Sequence, residues 1–397
     1  MPRGAKDARG LSLDRKIETS LCGIEKIPGV IRNDHGVAFF LLGDQKLLFS
    51  ETTQEIYVLN DLAAFIWCCL EEGRSLSEIC ADIAQKDLDE AAAQKYVDQS
   101  VRHWLKFGLL RIEQKNAEDS PFPSLHSFSV KLGGFGLRMH FANELLARLF
   151  TPVFEHLPVS DTVPNCILHV CEANGTILIF ENGKSVICCS TNEAVPLLKA
   201  HLTKQICSRN ANGISFHAAT LIRDKKTLLI SGPPAAGKTT LAARLLEDSF
   251  EYAGDDVHLI GPDGTGCGVP FALTLKSGSW KLIGHFRPEL ERLAIHDRPD
   301  QLKVRFMAPK KLASSEPNVT SWIIFIRRTP LGPSSLRPLS RSEALGRMIK
   351  GSYSPGGKLT LESCGALKQT ITGAESFELT YSNLESAREA ILDICRA

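Results

Sequence analysis

Residues 232–239 read Gly-Pro-Pro-Ala-Ala-Gly-Lys-Thr, a G-x-x-x-x-G-K-T pattern in which nearly every letter has a chemical use. Gly232 and Gly237 permit a backbone curl that larger residues resist, and free N–H groups at a helix start can point into it toward an anion. Lys238 can reach the terminal phosphates of a nucleotide, and Thr239 can offer its hydroxyl to Mg²⁺. Pro233, Pro234, Ala235, Ala236 and Thr240 complete the expected cradle, so the cofactors this pattern calls for are ATP and Mg²⁺. Eighteen residues after Lys238 stands Asp256, preceded by Asp255. One carboxylate could accept a proton from an attacking hydroxyl while the other, Asp255, helps Thr239 hold the metal; read alone, the pair also fits an acidic turn. His217, 21 residues before Lys238, is either an assistant to such a site or a satisfied core histidine.

These side chains need a frame of strand, turn and helix. The apolar run Thr227–Ser231 leads into the glycine loop, and Thr240–Leu246 after it is a good helix former. Phe250–Gly254 predicts a strand whose carboxyl end carries the two aspartates, and His217 lies on the strand-like segment Phe216–Ile222. Thr227–Ser231 and Ser321–Ile326 are apolar almost throughout, as expected of central strands covered on both faces. Strand-like runs at Cys166–Cys171 and Thr176–Phe180, a helical stretch at Ala194–Leu202 and a closing helix at Leu384–Arg396 extend the pattern. Residues 126–397 therefore predict an α/β sheet domain.

Upstream the pattern changes. Short alternating runs at Val37–Leu42, Lys46–Phe49 and Glu55–Leu59 are followed by helical spacing: Leu62, Phe65, Ile66 and Leu70 share one face. Ser75 offers an N-cap for a short helix through Ile79 and Ile83. A longer helix runs from about Asp89 to Lys106, with Tyr96, Val97, Val101, Trp104 and Leu105 inward and Gly108 as its stop. Residues 21–112 thus predict a small α+β, winged-helix-like domain. The polar, Pro121- and Pro123-bearing segment 113–125 reads as a linker, and residues 1–20 as a flexible basic N-terminus.

The bulk numbers narrow the function class. A chain of 397 residues is long enough for two or three cores. With 46 basic and 45 acidic residues the net charge is +1, which gives no global field for nucleic acid or an anionic membrane. The N-terminus lacks the apolar stretch of a secretory signal, and no later run approaches the roughly 20 apolar residues of a membrane span. The 12 cysteines show neither paired C-x-x-C units nor zinc-finger spacing and sit mostly in apolar stretches. Buried, reduced thiols in a cytoplasmic protein are the expectation.

His217, the glycine loop with Lys238, and the pair ending in Asp256 together resemble the catalytic domain of HPr kinase/phosphorylase, whose spacings they reproduce without a gap. The resemblance covers residues 210–262 closely and 126–397 loosely. It implies a phosphate-loop kinase with Asp256 as general base on a substrate hydroxyl, Lys238 and Thr239 holding phosphate and metal, and His217 assisting. It also implies a possible homo-oligomer. The chain departs from that family after the aspartates. The Glu-Ile-Arg-Gly type run is absent and Pro270–Trp280 stands in its place, which removes an expected Mg²⁺-binding Glu and speaks against HPr as substrate. Lys276 or Arg305 is either a source of charge for the phosphoryl group or a structural base.

The N-terminal unit resembles PqqD-like peptide-recognition domains, through Tyr57-Val-Leu-Asn-Asp-Leu-Ala-Ala-Phe-Ile-Trp67, Leu70, Gly73 and Phe107-Gly-Leu-Leu110. That resemblance implies a precursor peptide, or its leader, adding as a strand at the edge near Ile56, Tyr57 and Val58, beside the helix that carries Tyr96 and Arg102. A degenerate winged helix that only stabilises its neighbour is the alternative. Jointly, the two resemblances imply an ATP-dependent kinase acting on a Ser or Thr of a ribosomally made peptide. A kinase for a free amino acid or sugar, and a nucleotide-gated peptide-binding protein without phosphotransfer, are the other readings.

Overall fold

The structure is a computed structural model that describes residues 6–7, 29–85, 89–114, 124–173, 175–210, 213–354 and 357–396. The expected basic N-terminus, apart from Lys6–Asp7, and most of the expected linker lie outside the described residues. The chain is mixed α/β and divides into two compact units. One comprises residues 1–127, 139–146 and 167–194; the other comprises 128–138, 147–166 and 195–397.

The first unit opens with β1 (Lys6–Asp7) and β2 (Val30–Asn33), then β3 (Val37–Leu42), β4 (Gln45–Ser50) and β5 (Glu55–Leu59). The last three are antiparallel, and β1 lies along the outer edge of β5, giving the order β1-β5-β4-β3. Three helices follow, α1 (Asp61–Glu71), α2 (Leu76–Ala84) and α3 (Glu90–Lys106), and then β6 (Leu110–Glu113). Each helix is started by a side chain that satisfies an otherwise orphan amide. Asn60 accepts from the Ala63 amide and Asp89 from the Ala92 amide, while Ser75 and Glu78 form a reciprocal capping box. Leu48 and Tyr57 from the strands meet Ile66, Trp67, Val97, Val101 and Trp104 from the helices, and the two indoles pack edge to face at 5.3 Å. Val97, Val101, Trp104 and Leu105 are buried as expected; Tyr96 is only half-buried, its hydroxyl bonded to Asn60.

β7 (His126–Leu132), β8 (Phe135–Phe141) and α4 (Glu144–Phe154) are each divided between the units. β9 (Cys166–Ala173), β10 (Thr176–Glu181) and β11 (Lys184–Ser190) form the expected strands, but most of their residues group with the N-terminal unit. The sequence places the break at 113–125; the structure divides the chain elsewhere because Cys171, Leu178, Phe180 and Cys188 join the tryptophan core. In the sheet order β2-β6-β11-β10-β9, these strands extend β6 rather than the later sheet.

Most of α5 (Thr191–Arg209) belongs to the second unit, followed by β12 (Ile214–Phe216), β13 (Ala218–Arg223) and β14 (Lys226–Ser231). Next come α6 (Lys238–Leu245), β15 (Glu251–Gly254), β16 (His258–Ile260), β17 (Gly266–Gly268) and β18 (Leu273–Lys276). After α7 (Trp280–Gly284), β19 (His296–Asp297) and β20 (Lys303–Met307), the chain supplies β21 (Thr320–Arg328) and β22 (Ser335–Pro338). α8 (Arg341–Gly351), β23 (Ser352–Tyr353), α9 (Leu361–Thr372), β24 (Glu375–Tyr381) and α10 (Leu384–Ile394) complete it. The principal sheet has the order β15-β13-β14-β21-β24-β22, and β14, β21 and β24 run parallel at its centre.

Alternation along those strands fills two cores. Leu228, Ile230, Ile324 and Ile326 face Leu241, Leu245 and Ile391 of α6 and α10. Leu229, Ile323 and Phe325 face Ala344, Met348, Leu367 and Ile371 of α8 and α9. The strands covered on both faces are the ones whose sequence is continuously apolar. Every described cysteine is a free thiol and most are buried. Burial pushes Cys171, Cys189 and Cys395 up to about 12, which keeps them protonated and inert. Among the described residues no helix is long and apolar enough to cross a membrane.

The tryptophan pair gives the first unit a measurable weak point. Trp67→Ala, at a fully buried site, is expected to lower the first unit's unfolding free energy by about 3–5 kcal/mol. Urea denaturation followed by far-UV circular dichroism measures it, and a loss below about 1 kcal/mol contradicts this account of the core.

Candidate functional site

β14 ends at Ser231, and the loop Gly232–Gly237 turns its chain into α6, whose first residue is Lys238. Gly232 is required by close approach: a Cβ there would lie 2.5 Å from the Ile326 carbonyl oxygen of β21. Gly237, at φ 95°, is in the left-handed region, and a side chain on it would strike the Tyr381 hydroxyl. Ala235 is also left-handed, at φ 64°, an unusual conformation for an alanine that completes the curl. Tyr381 donates to the Ala236 carbonyl at 2.7 Å and ties the loop to β24. No side chain caps the start of α6 and no acidic residue sits in its first turn, where Thr239 and Thr240 follow Lys238. Its free amides and partial positive charge are what a phosphate would engage.

The Lys238 ammonium folds back on the loop, donating to the carbonyls of Gly232 at 2.8 Å and Pro233 at 3.2 Å. Lys238 is only 8% exposed. Burial lowers its pKa from the usual ammonium value, opposed by the nearby charges of Asp256 and Asp255. The Thr239 hydroxyl lies 3.1 Å from both carboxylate oxygens of Asp255, which stands just past β15 at 1% exposure. The Thr274 amide is 3.4 Å from the same carboxylate. Burial first, and then the charge of Asp256, pushes Asp255 up to about 7.

Asp256 occupies a left-handed conformation, φ 75°. Its Oδ2 receives the Lys199 ammonium at 2.7 Å, and Lys199 also donates to the Thr274 hydroxyl at 2.5 Å. Burial alone would raise Asp256, but the charge and hydrogen bond of Lys199 outweigh it and bring the carboxyl down to about 2. His217 Nδ1 lies 2.7 Å from the Asp256 main-chain carbonyl. A carbonyl can only accept, so Nδ1 carries a proton and donates it. The five groups Lys199, His217, Thr239, Asp255 and Asp256 are thus joined by direct contacts, with Lys238 close enough to feel both aspartates.

Lys199 is the participant that sequence reasoning missed. It sits on the stripe of α5 that carries the buried Val195, Leu198, Leu202 and Ile206, and a lysine at a core-spaced position was the available signal. Of the two bases singled out in sequence, Arg305 is structural: it donates to the Leu290 carbonyl and stacks 4.4 Å over Trp280. Lys276 is half-buried and near enough to disfavour the charge on Lys238. Among the described residues no cluster of three or more His, Cys, Asp or Glu side chains could hold a metal ion. Thr239 and Asp255 could contribute two oxygens, which suits Mg²⁺, an ion that usually keeps several waters and takes one or two carboxylates plus phosphate oxygens.

The residues expected to meet a peptide are placed unevenly. Ile56 is 41% exposed, Val58 is half-buried, and Tyr57 points into the core at 2% exposure, so only its main chain faces the edge. That edge already carries β1, with Lys6 opposite Tyr57 and Asp7 opposite Val58 in parallel register. Arg102 donates to the Thr176 hydroxyl at 2.6 Å.

The family model of coenzyme PQQ synthesis protein D (PqqD) matches residues 45–110. No curated protein matches the chain. Among solved structures, TbiB1 in complex with the TbiA(beta) leader peptide is 24% identical over 20% of this chain and 93% of its own, with a TM-score of 0.19. Lasso peptide synthetase B1 complexed with the leader peptide is 18% identical over 20% and 95%, with a TM-score of 0.20. The HPr(Ser) kinase/phosphatase from Coxiella burnetii is 14% identical over 45% and 97%, also at 0.20. None of the three superposes closely enough on the whole chain to fix a fold.

The opposed shifts of the two aspartates make a prediction about stability. Asp255 ionises near 7 when folded and at an ordinary 3.8 when unfolded, so it costs stability as pH rises from about 4 through 7. Asp256 acts in the other direction, adding stability above 3.8 that is lost as pH falls toward 2. Asp255→Asn should therefore be more stable than the parent at pH 8 in EDTA, by more than about 1 kcal/mol, with the gain gone below pH 4. Urea titrations across pH measure this; a variant less stable than the parent at pH 8 contradicts it.

Proposed function

We propose that the chain is an ATP-dependent kinase that phosphorylates a Ser or Thr hydroxyl of a ribosomally made precursor peptide, recruited through its PqqD-like residues. The observation that carries the reading is the contact network Thr239–Asp255 and Lys199–Asp256–His217 directly against an uncapped glycine loop. The PqqD match at residues 45–110 supports peptide recruitment, since the resemblance in sequence implies leader recognition by strand addition. A peptide adding beside Ile56–Val58 would have to displace the Lys6–Asp7 pairing.

The residues present fit a nucleotide and a divalent cation. The loop Gly232–Gly237, the first amides of α6 with Thr239 and Thr240, and Lys238 would hold the phosphates. Thr239 and Asp255 would hold Mg²⁺, and a buried carboxyl raised to about 7 is a group that such a charge would return to the ionised state. When bound, ATP supplies the phosphoryl group and Mg²⁺ neutralises charge on it. The chain's own groups do the positioning. Lys238 exchanges its two loop carbonyls for phosphate oxygens, and Asp256 accepts a hydrogen bond from the acceptor hydroxyl. Because Lys199 holds Asp256 well below the usual carboxylate range, Asp256 orients the hydroxyl more than it deprotonates it. His217 braces the Asp256 main chain through Nδ1.

Mass spectrometry of peptides encoded beside this gene, incubated with protein, ATP and Mg²⁺, tests the reading through a mass gain of one phosphate. Lys238→Ala and Asp256→Asn are each expected to lower transfer by about 10²-fold or more. Asp256→Asn should still bind a fluorescent ATP analogue. Transfer at the parent rate in Lys238→Ala, or no nucleotide binding by the parent chain, overturns the proposal.

A further inference from the structure

A cavity of about 660 Å³ in the second unit opens beside Asp256 and His217. We infer that it is the acceptor site, and that it takes a hydroxyl carried next to an apolar group, as in a Ser or Thr with an aliphatic or aromatic neighbour, rather than a polyol. This rests on the kinase reading and deepens it by naming the class of acceptor.

Three observations carry the inference. The first is size: the volume lies in the range of small-molecule sites, about 300–1,000 Å³, and holds far more than one hydroxyl. The second is the nature of the walls. Pro196, Ala200 and Cys207 of α5 face Phe216, Val257 and Phe306 across it. Such surfaces favour apolar contact over the dense hydrogen bonding that a sugar requires.

The third is the state of the charges. Lys199 is committed to Asp256 at 2.7 Å, and Arg298 is paired with Asp300 through two contacts of 3.1 and 2.9 Å. The cavity therefore presents internally neutralised pairs and an exposed Lys204, a poor match for a strongly anionic acceptor. Ser215 lines the cavity at 4% exposure, with its hydroxyl buried beside the Cys207 thiol.

The full-length protein is tested with ATP, Mg²⁺ and synthetic peptides bearing a single Ser whose neighbours are varied, with free serine and hexoses in parallel. Peptides with an apolar neighbour should have a kcat/KM at least about tenfold above those with Asp, Lys or Gly there. Ala200→Trp places an indole in the cavity from an exposed helix position, where folding is expected to survive. It should raise the peptide KM about tenfold while leaving fluorescent ATP-analogue binding and the melting temperature unchanged. Equal use of polar and apolar neighbours, preferential transfer to hexoses, or an unaltered KM in Ala200→Trp overturns the inference and leaves the kinase reading standing. Nucleotide binding without transfer to any acceptor overturns both.

Discussion

Two adjacent carboxylates, Asp255 and Asp256, stand past the end of β15, and their mutual repulsion is the constraint around which the second unit's site is built. Placed side by side with Asp255 buried, they cannot both ionise without help. Asp256 has a left-handed backbone, a conformation that costs on the order of 1–3 kcal/mol and persists only where the surroundings enforce it. Asp255 is left with the Thr239 hydroxyl and the Thr274 amide, and Asp256 is delivered to Lys199. One carboxyl consequently rises to about 7 and the other falls to about 2. α6 through Thr239, α5 through Lys199, His217 and β18 through Thr274 all meet the pair, so none of these elements can shift without disturbing the others.

The parts legible in sequence are those whose chemistry is contiguous. The glycine loop needs its residues in one order on one turn, and the continuously apolar strands around it announce their burial on both faces. Lys199 was not legible because its meaning depends on a carboxylate 57 residues away. Only its place on the apolar stripe of α5 marked it. Tyr57 teaches a related lesson. The alternation Ile56 out, Tyr57 in, Val58 partly out follows from the period of a strand, and it removes the tyrosine side chain from any surface role. Periodicity also found β9, β10 and β11 but could not say which core they close. That is decided by Leu178, Phe180, Cys171 and Cys188 packing with Trp67 and Trp104.

The segment that replaces the expected glycine-rich signature acquires a role from this geometry. In Pro270–Trp280, Phe271 accepts the Tyr252 hydroxyl, and Trp280 donates to Leu275 and stacks beneath Arg305. Between them Thr274 donates its amide to Asp255, and its hydroxyl oxygen accepts from Lys199. One residue of this stretch therefore braces both aspartates, which makes it structural support for the carboxylates rather than a substitute metal ligand.

Lys199 has a further consequence for the proposed chemistry. A free carboxylate about 4 Å from a phosphate oxygen would repel it by about 4 kcal/mol at an effective dielectric constant near 20. Paired with Lys199, Asp256 is close to neutral toward an approaching phosphate, yet its second oxygen can still accept a hydroxyl proton in a hydrogen bond. The side chain keeps 39% of its surface open, so the pairing does not seal it. A strong base would be needed if the acceptor had to be deprotonated before attack. Phosphoryl transfer through a loose transition state asks instead for alignment and for little repulsion, and an ion-paired carboxylate at the edge of an apolar cavity supplies both.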